Sequence, residues 1–314
     1  MNTCPKILIS SSMDIYLADV PSGNISIFTK EKPDKINDLY DFIYKEEETY
    51  PMKKTRFHED YYGITWAKGR LFVTHGEWPS SLLEYDSSGK ILNRFLPPKN
   101  HIQMFRAHQI TSIDNHIIIT STLNDTLFRF DIKTEEWDYF SIIESNFKRI
   151  YAPDKHHLNS VWYSDKKLYL ILNNKGESAL NIYDYPQMSL IESKILGQKV
   201  HNVWKMKDQI WFCNSGDGTV RSEKGEKITV GHWSRGVALS EDYLVLGASG
   251  LGGRNARRDK ESIVHVFDAK SLKPLNKFYV TGNINEIRMV GTQDKSHISE
   301  VYHINERFKN ISFL

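Results

Sequence analysis

Six side chains capable of chemistry or recognition open six similar segments of this chain. They are Tyr62, His108, Asn159, His201, Arg235 and Asn285, each followed by a short apolar alternation. His157 stands two residues before Asn159, and Glu286 directly follows Asn285. Neutral imidazole is the commonest metal ligand and also titrates near neutral pH. His108, His157 and His201 could therefore hold a divalent metal ion. Arginine grips carboxylate or phosphate through paired hydrogen bonds, which suits Arg235 to an anionic substrate. Tyrosine and glutamate move protons when their surroundings tune them, the role expected of Tyr62 and Glu286. Asn159 and Asn285 add neutral groups for binding substrate. The same residue types also fill polar channels that do no chemistry, so their meaning depends on the elements that carry them.

Those elements repeat. Around His201 the chain reads strand, charged turn at Lys207 and Asp208, strand. The pattern returns at 108–121, 159–173 and 235–249, more faintly at 62–75, and as a half-copy at 285–290. A turn rich in Gly, Asn, Asp or Ser follows the second strand, as at Asn124, Asn173 and Gly218. A third alternating strand is expected at 81–86, 126–131, 180–184 and 262–268, and a weaker fourth at 91–95, 136–140, 189–193 and 274–279. Four antiparallel strands recurring roughly every 35–50 residues are the signature of a β-propeller. No long segment carries the 3.6-residue periodicity of an amphipathic helix.

Five copies lie inside the chain. The sixth is split between an inner strand at 284–290 and the N-terminal runs at 6–11 and 24–29. That split closes a ring and leaves no unpaired sheet edge. The predicted fold is all-β: a six-bladed β-propeller of four-stranded antiparallel blades, the last closed by N- and C-terminal strands. One domain would span 1–314, with blades near 56–99, 100–150, 151–197, 198–230, 231–280, and 281–314 combined with 1–55.

In a propeller the inner strands line the axis, and each inner strand starts on the rim where the second strand ends. The opening residues should thus share one funnel with His75, Ser121, Asn173, Ser215 and Ser249 at the second-strand ends. The fifth blade adds a long loop at 250–261 with Arg254, Arg257 and Arg258, expected to lean over the funnel and hold an anion. Its glycines do not make a phosphate loop, since no Lys-Ser/Thr pair and no helix follow. Trp66, Trp162 and Trp204 recur at similar places and predict blade-to-blade packing. Cys213, in mid-strand, predicts packing too, and His265 should lie far from the axis.

Totals exclude several classes. The formal net charge of +2 across 314 residues argues for no nucleic-acid partner and no anionic membrane. Two cysteines, Cys4 and Cys213, cannot staple a secreted module. The N-terminus lacks a basic region followed by an apolar run, and no window approaches the ~18 apolar residues of a membrane span. A soluble, reduced, cytoplasmic protein is the expectation; no pattern speaks to oligomeric state. Nucleophile-elbow, zinc-protease, paired-cysteine and dinucleotide-binding motifs are all missing.

Segments 234–249, 263–268 and 282–287, together with 200–215, resemble an uncharacterised bacterial propeller family known only as a domain of unknown function. The likeness covers the second half well and the first half loosely. It implies a propeller, sometimes associated with sugar and cell-surface biosynthesis, and brings no established reaction. Tyr62-Gly63 departs from the histidine opening seen at His108 and His201. Two functions stay open. One is a metal-assisted lyase, hydrolase or isomerase acting on a small anionic substrate such as an acidic sugar. The other is a metal-free module binding a glycan, an anionic metabolite or a protein partner.

Overall fold

The computed structural model describes residues 5–33, 60–76, 79–99, 101–142, 155–250, 258–297 and 300–304. They form six four-stranded antiparallel sheets. The inner strands of blades 1 to 6 are Tyr61–Ala67, Ala107–Ile113, Leu158–Ser164, Val200–Met206, Ser234–Leu239 and Ile284–Val290. Blade 6 pairs Ile284–Val290 with Lys6–Ser11, so the two ends of the chain meet in one sheet. The sequence also suggests a strand or short helix near 38–44, which lies outside the described residues. Among the described residues no helix is long and apolar enough to cross a membrane.

Alternation along each strand sends apolar side chains to both sheet faces, and blade stacking buries them. Six apolar clusters result, one at each blade junction. Ala238 and Val264 of blade 5 meet Ile7 and Ile9 of blade 6, and Leu8 and Leu17 of blade 6 meet Ile64 and Trp66 of blade 1. The ring is therefore continuous across the point where the chain ends join. Trp162 packs with Val203 and Phe212 of the next blade. Trp204 packs with Val237 and Leu246 of the next. Cys213 is fully buried in that second cluster. His265 is half-buried beside Phe267, in a strand away from the axis.

Blade 6 corrects one element. The N-terminal region supplies three strands, Lys6–Ser11, Ile15–Asp19 and Ile25–Ile27, where the sequence suggested two. The turn between the first two contains no glycine or proline. Ser11 makes it instead, its hydroxyl accepting from the amides of Met13 and Asp14. Such hydroxyl-built turns carry a weak sequence signal.

The segment after blade 6 crosses the far ends of three inner strands. Asp294 accepts from the amides of Leu239 and Met289. His297 bonds Thr65, and Tyr302 stacks on Trp66. Just inside lies a fully buried ion cluster of Glu286, Arg288, Asp294 and His297. Arg288 pairs with Glu286 at 3.2 Å and donates to the carbonyls of Ile64, Ile287 and Val237, tying three blades together.

Burial sets the protonation of this cluster. It pushes the Glu286 and Asp294 carboxyls up, against the pull of Arg288. It holds the His297 imidazole well below its ordinary value of 6.5, with Arg288 adding to the effect. The signs oppose. The unfolded chain takes a proton on His297 that the folded protein refuses, so this residue costs stability as pH falls below about 6.5. The carboxyls keep protons that the unfolded chain releases, so they cost stability as pH rises above about 4.5. His297→Gln is expected to remove the first loss. Its urea midpoint should fall less than that of the parent protein between pH 7 and 5.5. The parent's excess is at most about 1.4 kcal/mol per pH unit.

Candidate functional site

The opening residues reach the axis through a device repeated six times. In every blade the inner strand carries one residue more than its partner, a β-bulge at or beside the opening residue. A bulge bends the strand and re-aims its side chains. Tyr62, His108, Asn159, His201, Arg235 and Asn285 thereby surround one throat. The amides released by the bulges are taken up by neighbouring blades. Asn202 accepts from Gly236, Gln109 from Val161, and Ser160 from Asn202. Gly63 sits where blades 1 and 2 touch; a β-carbon there would lie 2.6 Å from the carbonyl oxygen of His108.

A second ring lies above the first. The residues two before each opening residue are Asp60, Arg106, His157, Lys199, Trp233 and Asn283. Four of them hold left-handed backbone: Arg106 at φ 53°, His157 at 56°, Lys199 at 48° and Trp233 at 47°. Bulky residues seldom adopt this conformation, and such strain gathers at functional sites. Asp60, His157, Lys199, Trp233 and Asn283 line a cavity of about 280 Å³ above the throat, joined by Asn173, Lys175 and Ser249. Only His157 of this upper ring stood out in the sequence. The offset it shows from Asn159 would have led to Asp60, Lys199 and Trp233 had it been applied to every blade.

Aromatic faces hold the cations in place. Arg235 lies 6.0 Å over the ring of Tyr62 and donates to Asn285 Oδ1 at 3.0 Å. Lys199 lies 5.5 Å over Trp233, whose edge meets His201. Asp60, the acidic group among the described residues of this wall, pairs with Arg258 at 2.9 Å and accepts from the Tyr62 hydroxyl. Arg258 thus reaches from blade 5 to the start of blade 1. Arg254 and Arg257 lie outside the described residues.

His108 and His201 are anchored alike. His108 Nδ1 lies 2.9 Å from the carbonyl oxygen of Arg106 and 2.6 Å from Thr122 Oγ1. His201 Nδ1 lies 3.0 Å from the carbonyl oxygen of Lys199 and 2.8 Å from Ser215 Oγ. A carbonyl only accepts, so the proton of each ring belongs on Nδ1. Each hydroxyl in turn donates to the next blade, Thr122 to Leu158 O and Ser215 to Ser234 O. In blade 2 the residue under the histidine is Thr122, one beyond the Ser121 singled out in the sequence. Ser121 instead bonds Asn124 and the backbone of Phe105, and His75 is buried against Tyr61.

Glu286 lies one layer below the cavity. It bonds Asn202 and Gln109 and pairs with Arg288, and it is 1% exposed. Its two amide partners, Asn202 and Gln109, line the throat, and Glu286 itself does not. Anchoring through Nδ1 is also how metal-bound imidazoles are held. His108 and His157 meet edge to face at 5.9 Å. Among the described residues, however, no group of three His, Cys, Asp or Glu side chains is placed to hold a metal ion.

No family model and no curated protein matches this chain. Solved structures do. One from a nidogen/laminin complex shares 10% identity at a TM-score of 0.60, covering 91% of this chain and 98% of its own. A protein of unknown function from Bacteroides caccae shares 11% identity at 0.59, covering 92% and 100%. At these identities the likeness is one of fold. An uncharacterised bacterial protein is thus among the structural neighbours of this six-bladed propeller.

Proposed function

We propose that the funnel mouth is a metal-independent binding site for a small anionic ligand. One observation carries this reading. Side chains from two rings across all six blades line one small cavity, and the described residues of its wall include three cations, Arg235, Lys175 and Lys199, and one acid, Asp60, which is paired with Arg258. The volume lies just below the usual range for ligand pockets, which suits a metabolite with a single ring or none. Asn173, Asn283 and Asn285 offer both donors and acceptors, and Trp233 offers an apolar face. An acidic sugar would use all three kinds of contact.

The metal-assisted lyase, hydrolase or isomerase at the same mouth lacks a third donor among the described residues, and Glu286 is set apart from the cavity. Thermal shift against phosphate, citrate, uronates and neutral hexoses tests the proposal. Anions should raise the melting temperature and neutral hexoses should not; at a hundred times Kd the gain is about 2.7 kcal/mol. Equal silence toward every anion would leave a scaffold.

The upper ring makes a separate prediction. Lys199 is exposed and its backbone is left-handed. Lys199→Gly is expected to raise unfolding stability by up to about 1 kcal/mol, because glycine accepts that conformation without a clash. Anion affinity should fall at the same time. A residue that weakens the fold where it stands and strengthens binding is the expected mark of a functional position.

A further inference from the structure

We propose that the outer edge of blade 3 pairs with the same edge of a second copy of this chain, joining two four-stranded blades into one continuous sheet.

The outer strand of blade 3, Leu190–Gln198, runs for 9 residues. Its counterparts in blades 1, 2, 4 and 6 have 3 to 5. Among the described residues, it pairs only with Glu177–Asp184 on its inner side. An edge of this kind offers amides and carbonyls to another strand, and proteins usually keep such edges short or interrupt them with proline. The outer strand of blade 5, Pro274–Thr281, begins on proline and carries Lys277 with no acid to answer it. Leu190–Gln198 has no proline. It also holds Ile195, the most exposed large apolar side chain among the described residues at 60%, with Leu190 at 55% and Ile191 at 51%.

The order of the side chains identifies the occupant. The strand reads Leu190-Ile191-Glu192-Ser193-Lys194-Ile195-Leu196, the same chemistry from either end with an acid exchanged for a base. Antiparallel pairing about a two-fold axis at Ser193 sets Glu192 opposite the second copy's Lys194 and Ile191 opposite its Ile195. Leu190 then meets the edge of Leu196, which is already buried against blade 4. Residues directly opposite share a face and interact. Moving the axis to Glu192 or to Lys194 would set like charges face to face, so the charges fix the register. The contact uses the same patch on both copies and closes at two. The ladder with the inner strand is regular from Glu192 to Ile195, and both of its irregularities fall outside that run. Lys194 bridges Glu192 and Glu223 on the face toward blade 4, and Glu192 stays 49% exposed, able to meet a second base.

Analytical ultracentrifugation of the full chain from about 1 to about 500 μM should show the mass rising from 36.5 kDa toward twice that, with a Kd on the order of micromolar for so small an interface. Glu192→Lys and Lys194→Glu should each weaken association at least about tenfold, because each sets like charges opposite one another twice per dimer. An equimolar mixture of the two variants should associate again, since one offers two bases and the other two acids. The double variant should also recover the parent's affinity to within about threefold. Unchanged circular dichroism would show that each single variant is folded; a variant lost to misfolding is replaced by Ile195→Lys, which should abolish association. A monomer at every concentration overturns the proposal. So does a dimer that survives both single variants, an assembly that grows beyond two copies, or single variants that stay monomeric when mixed.

Discussion

Arg288→Met is expected to lower unfolding stability by about 3–5 kcal/mol, the cost of breaking a buried ion pair from one side. Arg288 is wholly buried and is the cation shared by two buried carboxyls, Glu286 and Asp294. Methionine matches its length but supplies neither charge nor donors to Ile64, Val237 and Ile287. Blades 1, 5 and 6 meet there, where the chain ends join. Adding Glu286→Gln and Asp294→Asn should recover part of the loss, because a fully neutral set no longer strands a charge. Urea unfolding at pH 7 measures both. A loss below about 1 kcal/mol for Arg288→Met would show that the carboxyls do not depend on the guanidinium.

Arg235→Ala is expected to weaken anion binding by at least about thirtyfold, the lower end for removing one partner of a charged, hydrogen-bonded contact. Arg235 stands at the boundary of throat and cavity, over Tyr62 and against Asn285. Its loss removes a charge from the centre of the site rather than from the rim. The main chain is not strained at this residue: the positive φ of the bulge falls on Gly236. Stability should therefore change by less than about 1 kcal/mol. Arg235→Lys should restore charge without the planar fork, and hence only part of the affinity. Affinity within twofold of the parent protein after Arg235→Ala would place the anion elsewhere.

Much of the architecture was legible because its signals are local. Strand alternation and turn residues such as Asn124 and Gly218 recur at short range. The missed strand Ile15–Asp19 shows the limit: its turn is closed by the Ser11 hydroxyl rather than by glycine or proline. The site was legible in its composition and less so in its depth. Glu286 follows Asn285 by one residue, and that single step carries it from the throat to the buried layer beneath. Asp60 and Arg258 are 198 positions apart and meet only because the ring closes.

The order of residues by itself determined the repeat, the split last blade and the side chains that open each inner strand, since period and turn chemistry depend on near neighbours along the chain. Only the tertiary structure decided how those side chains are aimed. One bulge per blade, four left-handed residues in the upper ring and hydroxyls tied to the backbone of the next blade set that aim. These features arise where blades press on one another, and the contacts that enforce them join residues far apart in the chain.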